Sequence, residues 1–479
     1  MTQKFEMTIG GETVTADSYT DIWNPANTDE VVGQAPVGTS EHLDKAVAAA
    51  RKAFESWRHS SEEQRIEACQ AIAKVVTDNA EELAVLLTKE QGKPMGGIGS
   101  NFEVGGCGAW AGYTAGLSLP DKVLEDSEEK KVIMTRAPLG VVGSITPWNF
   151  PIIIAIWHIV PGIRTGNTVV IKPSPFTPLT TLRMVELINE VLPPGLVNVI
   201  SGGDELGAEL TNHTGIDKIV FTGSVATGKK VMASAAGKVT PVTLELGGND
   251  PGIMLPGTDP AQFVEGLFFG SMINSGQTCG ALKRLYVHED DLDAVSGALV
   301  EFSKNIPMGD GMEESSLLGP LQNKRQFDRV VELVEDAKAN GGKALTGGEP
   351  MGGSNYFYPV TFVTGVSDGV RLVDEEQFGP VLPIITYTDL DDAIRRANDT
   401  DFGLDASVWG ADRSETARVA AQLEAGTVYE NKHADIAPHI PFGGIKCSGL
   451  GVEFGERVST EILQHDEALV EVKGVNDGC

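Results

Sequence analysis

Apolar residues recur at helical spacing from Leu43 to Trp57, and Glu62 to Leu87 continues in that style, so the first ~120 residues predict mainly helix. Gly92 to Gly116 is glycine-rich and shows no clear period. The charges of Asp121 to Lys131 have no apolar face, which predicts a solvated turn between strands. From Gly140 the pattern changes. Val141–Thr146, Thr168–Lys172, Val197–Ser201 and Lys218–Thr222 are short apolar runs. Helical segments stand between and after them, at Pro151–Arg164, Pro178–Val191, Glu205–Thr211 and Ala226–Ala236. Such runs predict strands buried on both faces of a parallel sheet. That is a doubly wound α/β domain, whose ligands sit beyond the C-terminal strand ends. A second series begins near Pro251. Its predicted strands are Arg284–His288, Val381–Tyr387, Ala406–Trp409 and Thr427–Tyr429. Its predicted helices are Asp290–Asn305, Asn323–Asn340, Asp389–Asn398 and Asp412–Leu423, and Ala468–Lys473 forms a last strand. No solenoid repeat or low-complexity linker interrupts the chain.

Composition narrows the function. The 479 residues hold 37 Lys+Arg against 67 Asp+Glu, a net charge of −30. That excess argues against nucleic acid, which wants a basic face, and against anionic lipid. The longest apolar run, Ile152 to Val160, is too short to span a membrane, and no secretion signal is expected from a start that carries Lys4 and Glu6 without a long apolar core. The length predicts two or three domains. Cys69, Cys107, Cys279, Cys447 and Cys479 are odd in number and scattered without a CxxC pair. Neither a disulfide framework nor a metal site is expected, and a reducing cytoplasm is the natural compartment.

Four loops carry the candidate chemistry. Thr146-Pro147-Trp148-Asn149-Phe150-Pro151 and Lys172-Pro173-Ser174 follow consecutive predicted strands. Phe221-Thr222-Gly223-Ser224 opens a helix. A GxGxxG fingerprint is absent. Gly223 and Gly228 stand five apart instead, and turn chemistry alone explains the pair as well as a phosphate does. The fourth loop, Asn274-Ser275-Gly276-Gln277-Thr278-Cys279, ends on a cysteine. A lone cysteine is most often a small buried apolar residue. A nucleophilic one needs a base and an oxyanion donor. Glu245, in Leu244-Glu245-Leu246-Gly247-Gly248-Asn249, is a carboxylate at an apolar strand end, costly without a partner or a task. On its own, a salt-bridged carboxylate is the simpler reading.

Together the motifs resemble the aldehyde dehydrogenase superfamily over nearly the whole chain, from Trp23-Asn24-Pro25 onward. The resemblance rests on Pro147-Trp148-Asn149-Phe150-Pro151, Glu245-Leu246-Gly247-Gly248, Gly276-Gln277-Thr278-Cys279, Glu376-Gln377-Phe378-Gly379-Pro380 and Pro441-Phe442-Gly443-Gly444, in this order. It implies two doubly wound α/β domains plus a small β oligomerisation element. Residues 1–118 and 140–246 would bind the dinucleotide and 247–446 would form the catalytic domain, with 119–139 and 447–479 for oligomerisation. It implies that Cys279 attacks an aldehyde to give a thiohemiacetal. Its oxyanion is held by the Asn149 amide and the Cys279 N–H, and Glu245 activates the water that hydrolyses the later thioester. NAD or NADP would lie along Ile145, Thr146, Pro147 and Trp148, with Gly223, Ser224 and Gly228 toward the pyrophosphate. Lys172, Ser174 and Pro175 would stand at the adenosine ribose, and Glu376, Phe378 and Leu246 at the nicotinamide end. Phe150, Trp157, Thr278, Gly280, Ile436 and Phe442 would line the aldehyde tunnel. Glu453 and His158 would relay protons.

Three departures matter. Pro175 stands where relatives strict for NAD often carry Glu, which removes one barrier to NADP. His158 replaces a lysine common in the relay region. Gly280 leaves room beside the thiol. The polar loop Asn431 to Asp435 adjoins the tunnel, although a solvated loop would read the same. Three other functions compete. A CoA-acylating dehydrogenase usually lacks the general-base glutamate, a cysteine hydrolase needs a histidine motif not found here, and a structural protein need not keep Cys279, Glu245 and Asn149 together. A homodimer or homotetramer is expected, because the last strand would leave an open edge on a monomer.

Overall fold

The computed structural model describes residues 2–455 and 463–472. Its first sheet has eight strands, in the order Gly449–Leu450, Val242–Glu245, Lys218–Thr222, Val141–Ile145, Thr168–Lys172, Val197–Val199, Met7–Ile9 and Glu12–Val14. The five from Val242–Glu245 to Val197–Val199 are parallel. All but a few of their residues are buried, because helices cover both faces. The chain runs outward from Val141–Ile145 in one direction, then returns to build Lys218–Thr222 on the other side. That reversal opens a crevice at the strand ends. The register aligns Ile145 with Lys172 and Thr222 with Glu245, so the candidate loops leave from one edge.

The second sheet has seven strands, in the order Lys343–Ala344, Thr361–Thr364, Val381–Tyr387, Leu282–His288, Asp250–Met254, Asp405–Trp409 and Thr427–Glu430, parallel except for the first. Glu245 ends a strand of the first sheet and Asp250 starts one of the second, with only four residues between them. The C-terminal edge of one sheet therefore meets the N-terminal edge of the other.

Both parallel sheets follow the sequence pattern, and several boundaries coincide, including Pro151–Arg164 and Val381–Tyr387. The first 120 residues depart from it. Helices Ser40–Trp57, Glu62–Asp78 and Ala80–Gln91 are present, but four strands precede them, two of them the hairpin Tyr19–Asn24 with Asn27–Pro36. Its half-exposed, polar strands lack an apolar run to announce them. Gly92–Gly116 contains the helix Ser100–Ala115, whose glycines allow close contact. A Cβ on Gly106 would stand 2.5 Å from Ile153 Cδ1. The predicted turn Asp121–Lys131 is mostly strand. Lys122–Asp126 pairs with Lys130–Pro138, and only 127–129 turns. This edge strand is exposed even at Val123 and Leu124, so no buried face sets a pattern. Asp250–Met254 and Thr361–Thr364 are strands that the apolar runs did not single out.

The last strand is Gln464–Val472 and starts earlier than the expected Ala468. It pairs antiparallel with Lys130–Pro138 of its own chain, so one of its edges is already satisfied. Gly449–Leu450, assigned above to the oligomerisation element, instead closes the first sheet beside Val242–Glu245. Lys473 and Cys479 lie outside the described residues. No helix among those described is long and apolar enough to cross a membrane.

Candidate active site

Cys279 stands at the junction of the two sheets, on the loop that feeds strand Leu282–His288. Asn274 and Ser275, with φ of 50° and 54°, precede Gly276 at 73°. Two non-glycine residues in the left-handed region are strained, at ~1–3 kcal/mol each, and such strain persists only where packing enforces it. The packing is visible: a Cβ on Gly276 would stand 2.0 Å from Gly379 O. Phe378 beside it also has positive φ, 48°. Cys279 is half-buried and reduced. Burial first, then Asp405, Glu245 and Glu376, push its thiol up to about 12, against the opposing pull of Lys283.

Glu245 faces the thiol from the end of the first sheet. It is buried, and neither carboxylate oxygen has a hydrogen-bond partner. Desolvation, with Glu453 and Asp405, holds its pKa well above the ordinary carboxylate range. Asn149 is buried at the start of helix Pro151–Arg164. Its amide Nδ2 donates to Gln277 O at 2.9 Å, leaving one N–H of the amide for a ligand. The Asn149 carbonyl accepts from Lys93 Nζ at 2.7 Å and Asn274 Nδ2 at 3.1 Å. Lys93 pairs with Glu103 at 2.5 Å, and Glu103 also accepts from the N–H groups of Ile152 and Ile153. This buried pair fixes the helix start that carries Asn149.

His158 Nε2 lies 2.9 Å from Glu453 Oε1, and its Nδ1 lies 2.7 Å from Ser144 Oγ. The two proposed relay residues are thus in direct contact, and Glu453 in turn influences Glu245. Trp157, Phe442, Ile436 and Cys279 form one apolar cluster, joined by Leu404, Phe454 and Trp110. Trp157 and Phe454 meet edge to face at 4.4 Å. Phe150 packs instead with the core of the first sheet, beneath Lys93 Nζ at 3.7 Å from its ring. Thr278 is buried and donates to Ile273 O. Gly280 does not leave open room. Asp405 fills it, and a Cβ at 280 would stand 2.4 Å from Asp405 Oδ2. Within the polar loop, Lys432 pairs with Asp435 and His433 turns inward to Ser407 at 2.8 Å.

On the crevice side, Lys172 is buried with one long bond, 3.3 Å, to Pro173 O, and burial lowers its pKa to about 8. Ser174 accepts from Phe176 N, while Pro175 is exposed. Ser224 caps helix Val225–Ala236, accepting from Thr227 N, and is itself exposed. Gly228 is needed for packing, since a Cβ there would stand 2.5 Å from Leu246 Cδ2. Trp148 meets Phe378 edge to face at 5.3 Å. Glu376 Oε1 accepts from Gly248 N at 3.1 Å and lies 3.2 Å from Lys283 Nζ.

The sequence profile of the aldehyde dehydrogenase family matches residues 13–467. The chain belongs to that family. A betaine aldehyde dehydrogenase, chloroplastic, from Beta vulgaris is 40 % identical over 453 residues, covering 91 % of this chain and 89 % of that one. The NAD+ complex of an aldehyde dehydrogenase from Bacillus cereus superposes with a TM-score of 0.95 at 35 % identity, covering 98 % and 97 %. Lactaldehyde dehydrogenase from Escherichia coli gives 0.95 at 30 %, covering 98 % and 100 %. The protein is therefore an NAD(P)-dependent aldehyde dehydrogenase.

The crevice of the dehydrogenase fits such a cofactor. Lys172 is a buried cation with no carboxylate bonded to it. Thr146 Oγ1 is buried without a partner. The exposed cap at Ser224 presents helix N–H groups suited to a phosphate. Sequence reasoning passed over Lys93, Glu103, Trp110, Asp250, Lys283, Asp405 and Phe454. For Asp250 and Lys283 a signal existed, since each interrupts an apolar strand start, where an unpartnered charge is costly.

Proposed function

We propose that this dehydrogenase oxidises an aldehyde to the carboxylic acid through a thiohemiacetal and a thioester on Cys279. The observation that carries the reading is a half-buried thiol faced by Glu245, a buried carboxylate with both oxygens free. The Cys279 sulfur adds to the aldehyde carbon, and its proton passes to Glu245. The free N–H of Asn149 and the Cys279 backbone N–H donate to the new oxyanion, preorganised donors that need no rearrangement. NAD(P)+, when bound, supplies the hydride acceptor. Glu245 passes the thiol proton on through Glu453 and His158 and is then free to take one from the water that attacks the thioester carbonyl. Its raised pKa makes it the stronger base for both transfers.

Residues 1–118 and 140–246 bind the dinucleotide, with Lys172 and Ser174 at the adenosine ribose and Glu376 at the nicotinamide ribose. Residues 247–446 carry the nucleophile and most of the aldehyde tunnel. Residues 119–139 and the tail from 464 serve assembly as a homodimer or homotetramer. The reducing environment that free cysteines favour is the cytoplasm. Trp110, Trp157, Phe442 and Phe454 wall the tunnel. Apolar fit discriminates aldehydes poorly, so a panel including betaine aldehyde and lactaldehyde is the proper assay.

The test is steady-state formation of NADH or NADPH over that panel, with and without CoA. Cys279→Ala should retain less than about a hundredth of turnover, a barrier change above ~2.7 kcal/mol. Glu245→Gln should give a burst of reduced cofactor and a trapped acyl-enzyme by mass spectrometry. Turnover that survives Cys279→Ala, or that requires CoA, overturns the reading.

A further inference from the structure

Two buried cations, Lys283 and Arg284, stand among the carboxylates around the nucleophile loop; Arg284 donates to Asn249 O and Ala397 O and acts on Asp250. Lys283 is 2 % exposed; its Nζ donates to the Cys279 carbonyl and lies 3.2 Å from Glu376 Oε1. Asp250 and Asp405 start the two neighbouring strands of the second sheet. Both are buried, and none of their four oxygens has a hydrogen-bond partner. Asp405 Oδ2 presses on Gly280, the residue after the nucleophile. Glu245 faces the thiol from the other sheet. Tyr429 and His433 also border the cluster. His433 is held neutral by burial, its pKa lowered to about 3, so it adds no positive charge.

The consequence is electrostatic. Glu245, Glu376 and Asp405 all oppose a negative sulfur, and so does desolvation. Among the described groups that face the thiol, Lys283 alone acts in the other direction. Its bond to the Cys279 carbonyl also ties it to the loop that presents the sulfur. A lysine present only to satisfy one carboxylate would need neither contact.

We propose that Lys283 is a positioning residue of the reaction: its single ammonium group holds the nucleophile loop through the Cys279 carbonyl and offsets the carboxylates that oppose a negative sulfur. This rests on Cys279 being the nucleophile. Asp250 and Asp405, buried at the starts of the neighbouring strands, interact with the same ammonium.

The test is carbamidomethylation of Cys279 by iodoacetamide in the intact protein without cofactor, followed by peptide mass spectrometry from pH 6 to 10. Lys283→Gln keeps a donor for the Cys279 carbonyl and removes the charge. It should slow Cys279 labelling by at least about tenfold throughout that range, the fall in thiolate that a one-unit rise in pKa gives. Lys283→Arg should recover most of the wild-type rate. Labelling of half-buried Cys447 reports whether the fold is intact. If Lys283→Gln does not fold, Lys283→Met, which keeps the length of the buried stem and removes the charge, is labelled instead, and the same slowing is expected. An unchanged Cys279 profile in a folded variant overturns the proposal, even where Cys279→Ala is inactive. Turnover that survives Cys279→Ala would instead overturn the nucleophile assignment.

Discussion

Two buried lysines flank the candidate active site, and they are built differently. Lys93 has one carboxylate, Glu103. Both side chains are fully buried, and each has further partners: Asn149 O for Lys93, and the N–H groups of Ile152 and Ile153 for Glu103. Lys283 has Glu376 at 3.2 Å and two more carboxylates nearby, whose oxygens find no hydrogen-bond donor. The first group is electrically balanced and hydrogen-bonded, which is what a buried pair needs to hold a structure. The second sets several carboxyl groups, held above their ordinary pKa by burial, beside a thiol. A site that must move protons needs groups close to the point of changing charge, and those are the groups a balanced scaffold would not leave unpaired.

The largest effect should come from breaking the balanced pair. Lys93→Met leaves Glu103 charged, buried and uncompensated. The expected loss is about 3 to 5 kcal/mol of unfolding free energy, read from the guanidinium midpoint. Lys93→Met with Glu103→Gln should recover much of it, because the remaining amide can still bond. A loss below about 1 kcal/mol for the single variant would show that the pair is not the scaffold argued here.

The same contrast explains what the sequence disclosed. Parallel strands such as Thr168–Lys172 are buried throughout, and their ends bring the candidate loops along one edge. Cys279, Glu245 and Asn149 stood in motifs and converge at the junction of the two sheets. Lys93 and Glu103 did not show, because their pairing spans a glycine-rich stretch with no period. Asp405 did not show either. Only the packing of strand Asp405–Trp409 beside Asp250–Met254 brings it against Gly280. Gly280 itself was misread as open space, since a sequence cannot say which neighbour fills a missing Cβ.

A smaller effect should come from relieving the unbalanced cluster. Burial raises the Asp250 carboxyl to about 7 from an ordinary 3.8. A carboxyl raised on folding binds its proton more tightly in the native state. Its contribution is therefore fully present below pH ~4 and is lost as pH rises through about 7. Asp250→Asn removes that loss, while Lys283 keeps Glu376 and Asp405 as partners. Between pH 5.5 and 8.5 the variant should gain stability over wild type by on the order of 2 kcal/mol. Thermal melts at both pH values measure it. A gain that is equal at the two values would mean that Asp250 is ionised throughout and that the cluster is balanced after all.

The smallest effect concerns a third buried lysine, at the far end of the crevice. Lys172 has neither kind of arrangement. No carboxylate bonds to it, and the charge acting on it is Asp204 at the start of the helix Asp204–Asn212. Pro175, three residues on, is exposed and offers neither donor nor acceptor side chain. No arginine stands between Lys172 and Pro178 to fork a phosphate. A lone ammonium with a nearby hydroxyl, Ser174, serves a ribose hydroxyl or a 2′-phosphate. The values of kcat/KM for NAD and NADP should thus differ by at most about a hundredfold, ~2.7 kcal/mol. Pro175→Glu puts a carboxylate where the crevice lacks one, and should weaken NADP selectively by about tenfold, ~1.4 kcal/mol. The change is modest because an exposed charge is screened. A wild-type preference above about a thousandfold would end the claim of tolerance. Equal loss of both cofactors in the variant would mean that the charge around Lys172, and not position 175, sets the choice.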